Sequence, residues 1–213
     1  MGTARYWIGV LLVVSMPPAI LWWFVVHPFI GFWRRLGARR AVWVVGALML
    51  GIVAFLIPLR NTLLGRDLGS HPWLVALACL LTAAGAAMAL WRRPHLTQRM
   101  LTGLSELQGD ATPLLTKGPY ALVRHPRYVE VVLFTFAYAA FANYAGSWVM
   151  AVLSLPFLHA VVVMEERELA QRFGAAWVEY RTRVPRYLPR LREAPPDPGP
   201  GARERSDAGA PGG

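Results

Sequence analysis

A single cysteine, Cys79, excludes any disulfide within the chain, and its place in the middle of an apolar run predicts a buried thiol. Lysine is as scarce: Lys117 is the only one, so the net charge of +10 is carried by arginine. No cluster of cysteine and histidine stands at metal-ligand spacing, and no metal is expected. No glycine-rich phosphate loop is present either. Charged residues make up only 16% of the 213, while 55% are hydrophobic and the mean hydropathy is +0.38. That balance excludes an ordinary soluble domain. An arginine excess in a soluble chain would point to nucleic acid; here the arginines sit between apolar runs, so membrane topology accounts for them and no nucleic-acid partner is expected. Arg5 precedes the first apolar run without a small-residue cleavage site, which reads as a retained first helix.

The fold class is all-α: a polytopic membrane protein with about five transmembrane helices, since several runs approach the roughly 20 residues needed to span a bilayer. They cover about Tyr6 to Val26, Ala41 to Leu59, Trp73 to Trp91, Tyr128 to Phe141 and Ser147 to Met164. Pro17 and Pro18 are expected to kink the first. The third is rich in alanine and glycine, which suits close helix packing. Only "ANYAG" separates the last two, a tight hairpin. Residues 1–91 thus read as three N-terminal helices and 92–191 as a second unit. Residues 192–213, rich in proline, glycine and alanine, read as a disordered tail.

Between the third and fourth runs lies "KGPYALVRHPRYVEVVLF", residues 117–134. It packs Lys117, Arg124, His125 and Arg127 beside two prolines and then returns directly to apolar residues. A loop this long is usually functional or disordered, and its aromatic content favours function. After the last run comes "MEERELAQRFGAAWVEYRTRVPRYLPRL", residues 164–191. Leu169, Phe173, Trp177 and Tyr180 recur at spacings of three and four, one face of a helix lying along the cytoplasmic membrane surface. Glu165 and Glu166 are costly at the interface unless paired or hydrated.

These two motifs, in this order across a short hairpin, resemble the isoprenylcysteine carboxyl methyltransferase and phospholipid methyltransferase superfamily of integral membrane methyltransferases. The resemblance covers roughly residues 90–191. It implies S-adenosylmethionine as cofactor, held in a cytoplasm-facing pocket. The lining it implies is Lys117, Gly118, Pro119, Tyr120, Arg124, His125, Pro126, Tyr128, Glu165 and Glu166. Arg124, Glu166 and Arg172 carry the catalytic roles: a guanidinium suits a carboxylate of donor or acceptor, and a carboxylate suits an ammonium or ribose diol. Gly118 and Pro119 would let backbone approach the cofactor. The implied acceptor is a lipophilic or small molecule entering from the bilayer and carrying a carboxylate, amine or thiol. Positioning would then do most of the catalysis.

Other readings stand beside this one. Sterol reductases of related architecture share the "RHP-x-Y" element and use NADPH, although they are generally larger. A non-catalytic membrane protein retaining the fold is a further alternative. Trp177, Tyr180 and Tyr187 are expected in an aromatic belt, and His27 and His71, each before a proline, in structural roles. His159 suits either a pocket wall or a packed, hydrogen-bonded site. Relatives commonly carry glycine where this chain has Glu130. Either Glu130 lies in the first turn of the fourth helix and pairs with Arg127, or its carboxylate reaches the donor or the acceptor entrance.

Positive residues set the orientation. They crowd the first loop (Arg34, Arg35, Arg39, Arg40), the third loop and the segment after the fifth run, whereas the second loop holds only Arg60 and Arg66. This places the N-terminus outside and the C-terminus and site in the cytoplasm. Reporter fusions after Gly37 and after Arg192 are expected to read cytoplasmic; a cytoplasmic reading after Gly65 overturns the topology.

Overall fold

The computed structural model describes residues 2–26, 28–95 and 113–190. His27, Arg99 and the tail 192–213 therefore lie outside the described residues. Among those described, the chain is helical with no strand: α1 (Gly2–Val26), α2 (Ile30–Leu36), α3 (Ala38–Leu56), α4 (Arg60–Leu64), α5 (Pro72–Arg92), a 3₁₀ turn (Gly118–Ala121), α6 (Pro126–Ala142), α7 (Ala145–Phe173) and α8 (Ala175–Arg183). Four of these, α1, α3, α5 and α7, are long and apolar enough to cross a membrane. The fifth expected segment, α6, has 17 residues. It packs along α5 and against α1 and α7. This is an all-α polytopic membrane protein.

α1 stays helical through Pro17 and Pro18. It lies at the centre of the bundle, touching α3, α4, α6 and α7. Leu12, Met16 and Ile20, at a spacing of four, bury against Tyr128 and Ala139 of α6 and Leu158 and Val162 of α7. α3 buries only Ala41 and Val45 and turns Trp43, Leu50 and Phe55 outward, as expected of a helix facing lipid. Cys79 is likewise exposed rather than buried. In a bilayer the apolar environment is outside the bundle as well as within it, so apolar context alone did not decide the matter.

The interfacial helix expected over residues 164–191 is divided. α7 continues unbroken for 29 residues through Glu165 and Glu166 to Phe173, and Gly174, at φ +50°, breaks it before α8. Leu169 and Phe173 thus belong to α7 and Trp177 and Tyr180 to α8, yet all four meet in one apolar cluster.

The α6–α7 connection is Asn143–Tyr144, with Asn143 in the left-handed region at φ +51°. Asn143 Nδ2 donates to Gly69 O at 3.0 Å, and Leu68 N donates to Asn143 O at 3.0 Å. Nearby, the buried Arg5 donates to Ala142 O at 3.1 Å and to Asp67 at 2.6 Å. These contacts fix the end of the bundle opposite the site, about 25 Å away along α6.

Glu130 is in the second turn of α6, and its partner is not Arg127. Arg92 donates through Nε and Nη2 to Glu130 Oε2, both at 2.9 Å, joining α5 to α6. The two side chains are only 8% and 15% exposed, and Arg92 Nη1 is buried with no hydrogen-bond partner among the described residues, so loss of the carboxylate would strand a buried cation. Glu130→Gly is therefore expected to cost about 1–3 kcal/mol of stability in detergent. Arg92→Leu/Glu130→Leu should recover most of it, because an apolar pair replaces the ion pair with little net loss. An equal cost in the single and double variants would show that pairing is not what Glu130 supplies.

Candidate functional site

α6 starts where it does because of Pro126. The ring removes an N–H that the first turn does not need, and it disfavours helical backbone in the residue before it. His125, at φ −125° and ψ +58°, accordingly sits outside the helix as its N-cap residue. Extended residues after α8 run alongside it. Arg124 N donates to Pro185 O at 2.8 Å and His125 N to Arg186 O at 3.2 Å. The buried Tyr180 hydroxyl donates to Tyr120 O at 2.7 Å. Burial pushes the Tyr120 phenol up to about 12 and raises Tyr180 further, so both remain neutral at physiological pH.

The two motifs meet at the carboxylate pair of α7. Glu166 accepts from Arg186 Nε at 3.0 Å and Nη2 at 2.5 Å, a two-point grip. Arg124 Nη1 lies 3.3 Å from it, and His125 Nε2 is 3.1 Å from its Oε1. Glu165 accepts from the Tyr128 hydroxyl at 2.5 Å, and its other oxygen is 3.6 Å from His125 Nδ1. His125, 5% exposed, thus has a carboxylate at each ring nitrogen. Burial alone would lower its pKa. The hydrogen bonds and negative charge of Glu165 and Glu166 outweigh burial, and the pKa is raised.

Beside this network lies a pocket of about 160 Å³, lined by Trp23, residues 113–115, Tyr120, residues 124–128, Glu165, Glu168, Leu169, Arg172, Phe173, Trp177 and Tyr180. Glu165, Glu168, Leu169, Arg172 and Phe173 share one face of α7 by their spacing of three and four. Of the residues singled out from the sequence, Tyr120, Arg124, His125, Pro126, Tyr128, Glu165 and Arg172 are on this wall. Glu166 stands behind it, its oxygens occupied by Arg124, Arg186 and His125. Lys117, Gly118 and Pro119 are off the wall: Lys117 is exposed, Pro119 is buried, and Gly118 is pressed by His95. A Cβ on Gly118 would fall 2.2 Å from His95 Nε2, so the close approach there is made by a histidine of this chain.

Trp177 and Tyr180 are not belt residues. They are 2% and 5% exposed, and Trp177 lies under the Arg124 guanidinium at 5.6 Å. Tyr187 bonds His159 Nδ1 at 2.9 Å, and His159 stays off the pocket wall. His71 precedes α5 as its N-cap residue, with Nε2 3.3 Å from Leu68 O. Sequence reasoning missed Trp23, Glu168 and Arg186. The spacing from Glu165 to Phe173 contained the signal for Glu168; nothing local marks Trp23.

A donor such as S-adenosylmethionine can be tested against these groups. Arg124 Nε is buried in the wall with no partner among the described residues, Glu165 and Glu168 offer carboxylates, and Phe173, Trp177 and Tyr180 offer aromatic surface. The residues present fit its charges and its ring. The described walls enclose less than the roughly 300–1,000 Å³ of a typical small-molecule site, so such a donor would extend past them.

Comparison with known proteins gives a methyltransferase family match. Residues 73–176 match the phospholipid methyltransferase family. The chain is 36% identical over 89 residues to methanethiol S-methyltransferase 2 of Bradyrhizobium diazoefficiens, covering 41% of this chain and 32% of that one. It is 31% identical over 160 residues to the cobalt-zinc-cadmium resistance protein CzcN of Cupriavidus metallidurans, covering 72% and 64%. With the nickel-cobalt-cadmium resistance protein NccN of Alcaligenes xylosoxydans xylosoxydans the identity is 24% over 187 residues, covering 84% and 75%. The chain thus spans about a third of the first of these relatives and under two thirds of the second. No solved structure matches.

The raised His125 pKa has a signed consequence. The stabilisation it provides is fully present below the ordinary histidine value of about 6.5 and is lost as pH rises through the higher native value. His125→Gln should flatten the decline in melting temperature above pH 6.5 that the parent shows. Parallel pH profiles for the two proteins would remove His125 as its source.

Proposed function

Because residues 73–176 match the phospholipid methyltransferase family, we propose that this chain is an integral membrane methyltransferase using S-adenosylmethionine, with an acceptor that is lipophilic or a small thiol, carboxylate or amine. The observation that carries the reading is the meeting of two motifs, about forty residues apart, at one pocket through His125, Tyr128, Glu165 and Glu166. The catalytic unit is residues 92–191, and the site faces the cytoplasm at the inner or plasma membrane, as the arginine distribution supports.

Bound S-adenosylmethionine supplies an electrophilic methyl on a sulfonium. Glu165 and Glu168 suit its ammonium and ribose hydroxyls. Arg124, whose Nε has no acceptor among the described residues, and Arg172 suit its carboxylate. The ring faces of Phe173 and Trp177 suit the adenine. Glu166 acts at one remove by fixing Arg124 and His125. A thiol acceptor is supported by the similarity to a methanethiol S-methyltransferase.

Calorimetry on the protein in nanodiscs tests this reading. S-adenosylmethionine should bind the parent, and Arg124→Ala and Glu165→Ala should each weaken it by about 1–3 kcal/mol, the worth of a charge-assisted contact. Glu166→Ala should also lower the melting temperature, because Arg124, Arg186 and His125 lose their shared partner. No binding to the parent, or unchanged isotherms for Arg124→Ala and Glu165→Ala, would overturn the assignment.

A further inference from the structure

Three arginines line the pocket against two glutamates, and the three are not equivalent. Arg124 is engaged by Glu166 and Trp177. Arg172, exposed at the end of α7, lies over Phe173 at 5.1 Å. Arg127 has no carboxylate within ion-pair distance among the described residues, because Glu130, the acid three residues on, is held by Arg92 instead. Its guanidinium sits over the Trp23 ring at 4.6 Å. Trp23 is the one wall residue from α1, and it lies outside the family-matched segment. It stands three residues before the end of a spanning helix.

We propose that Arg127 and Trp23 form an acceptor subsite that selects an anionic nucleophile, Arg127 taking a carboxylate or thiolate head and Trp23 the apolar stem. The proposal rests on the methyltransferase reading of the pocket. A charge-assisted hydrogen bond to an anion is stronger than a cation–π contact, so an arriving anion takes Arg127 from the indole face. A guanidinium beside a thiol also lowers its pKa toward the thiolate. An acceptor already ionised needs no general base, and Glu165, bonded to Tyr128 and beside His125, is not required as one. An aliphatic amine, cationic near neutral pH, is disfavoured at the same place.

The anion could instead be the carboxylate of the donor, and the test separates the two. In phosphatidylcholine nanodiscs, binding of decanoate, decanol and decylamine is compared for the parent, Arg127→Gln, Arg127→Lys and Trp23→Leu, alongside the affinity for S-adenosylmethionine. The parent should prefer decanoate about tenfold or more over the other two, the discrimination that one charge-assisted contact provides. Arg127→Gln should abolish that preference, Arg127→Lys should keep part of it, and Trp23→Leu should weaken all three stems alike. Donor affinity should hold within about twofold in all three variants, far less than the loss of a charged contact. A decanoate preference that survives Arg127→Gln overturns the proposal. So does a marked fall in donor affinity in that variant, which would assign Arg127 to the donor. A parent that binds decanoate selectively but not S-adenosylmethionine would retain the subsite and refute the methyltransferase reading.

Discussion

One carboxylate holds the site together. Glu166 faces Arg124 and His125 from the segment before α6 and Arg186 from the segment after α8, so three parts of the chain converge on two oxygens. Without it two guanidiniums and the His125 imidazole would face one another at a membrane boundary, where unpaired charge is expensive. Its grip also sets its neighbour. Successive residues on an α-helix are about 100° apart, so with Glu166 turned to the arginines Glu165 is directed to Tyr128 and the pocket. Two adjacent residues of one type thereby take different roles, one structural and one lining the wall.

The bundle was legible in the chain because lipid demands long apolar runs. The five runs correspond to α1, α3, α5, α6 and α7 within a few residues, except that α7 continues past Met164 to Phe173. The site was only half legible. Arg124, His125, Tyr128 and Glu165 could be found because they share motifs with polar residues in an apolar setting. Trp23 could not, since a tryptophan near the end of a spanning helix is the expected interfacial anchor and only packing shows which neighbour it meets. The true partner of Glu130 was hidden for a related reason. Spacing along a helix points to Arg127 one turn back, but Arg92, from another helix, holds the carboxylate through two nitrogens.

The pocket also straddles the boundary of the family-matched segment. Glu165 and Glu166 lie within the family-matched residues 73–176, whereas Trp23 and the clamping Tyr180 and Arg186 lie outside them. Much of the surface of α3 faces away from the protein, so that helix constrains the pocket little. The pocket wall is thus built from a family segment and closed by chain on either side of it.

The far end of the bundle bears on how the molecule comes to be made. The link Asn143–Tyr144 carries no charge, and its Asn143 amide and the Ala145 N–H find their acceptors on Gly69 and Arg66, residues synthesised some seventy positions earlier. Buried amides left unmatched in lipid are costly. The last two long helices therefore enter as a pair whose leading tip is satisfied only on reaching a receptor already in place on the far side. The 65–69 loop is thus made before the helices whose connecting tip it holds.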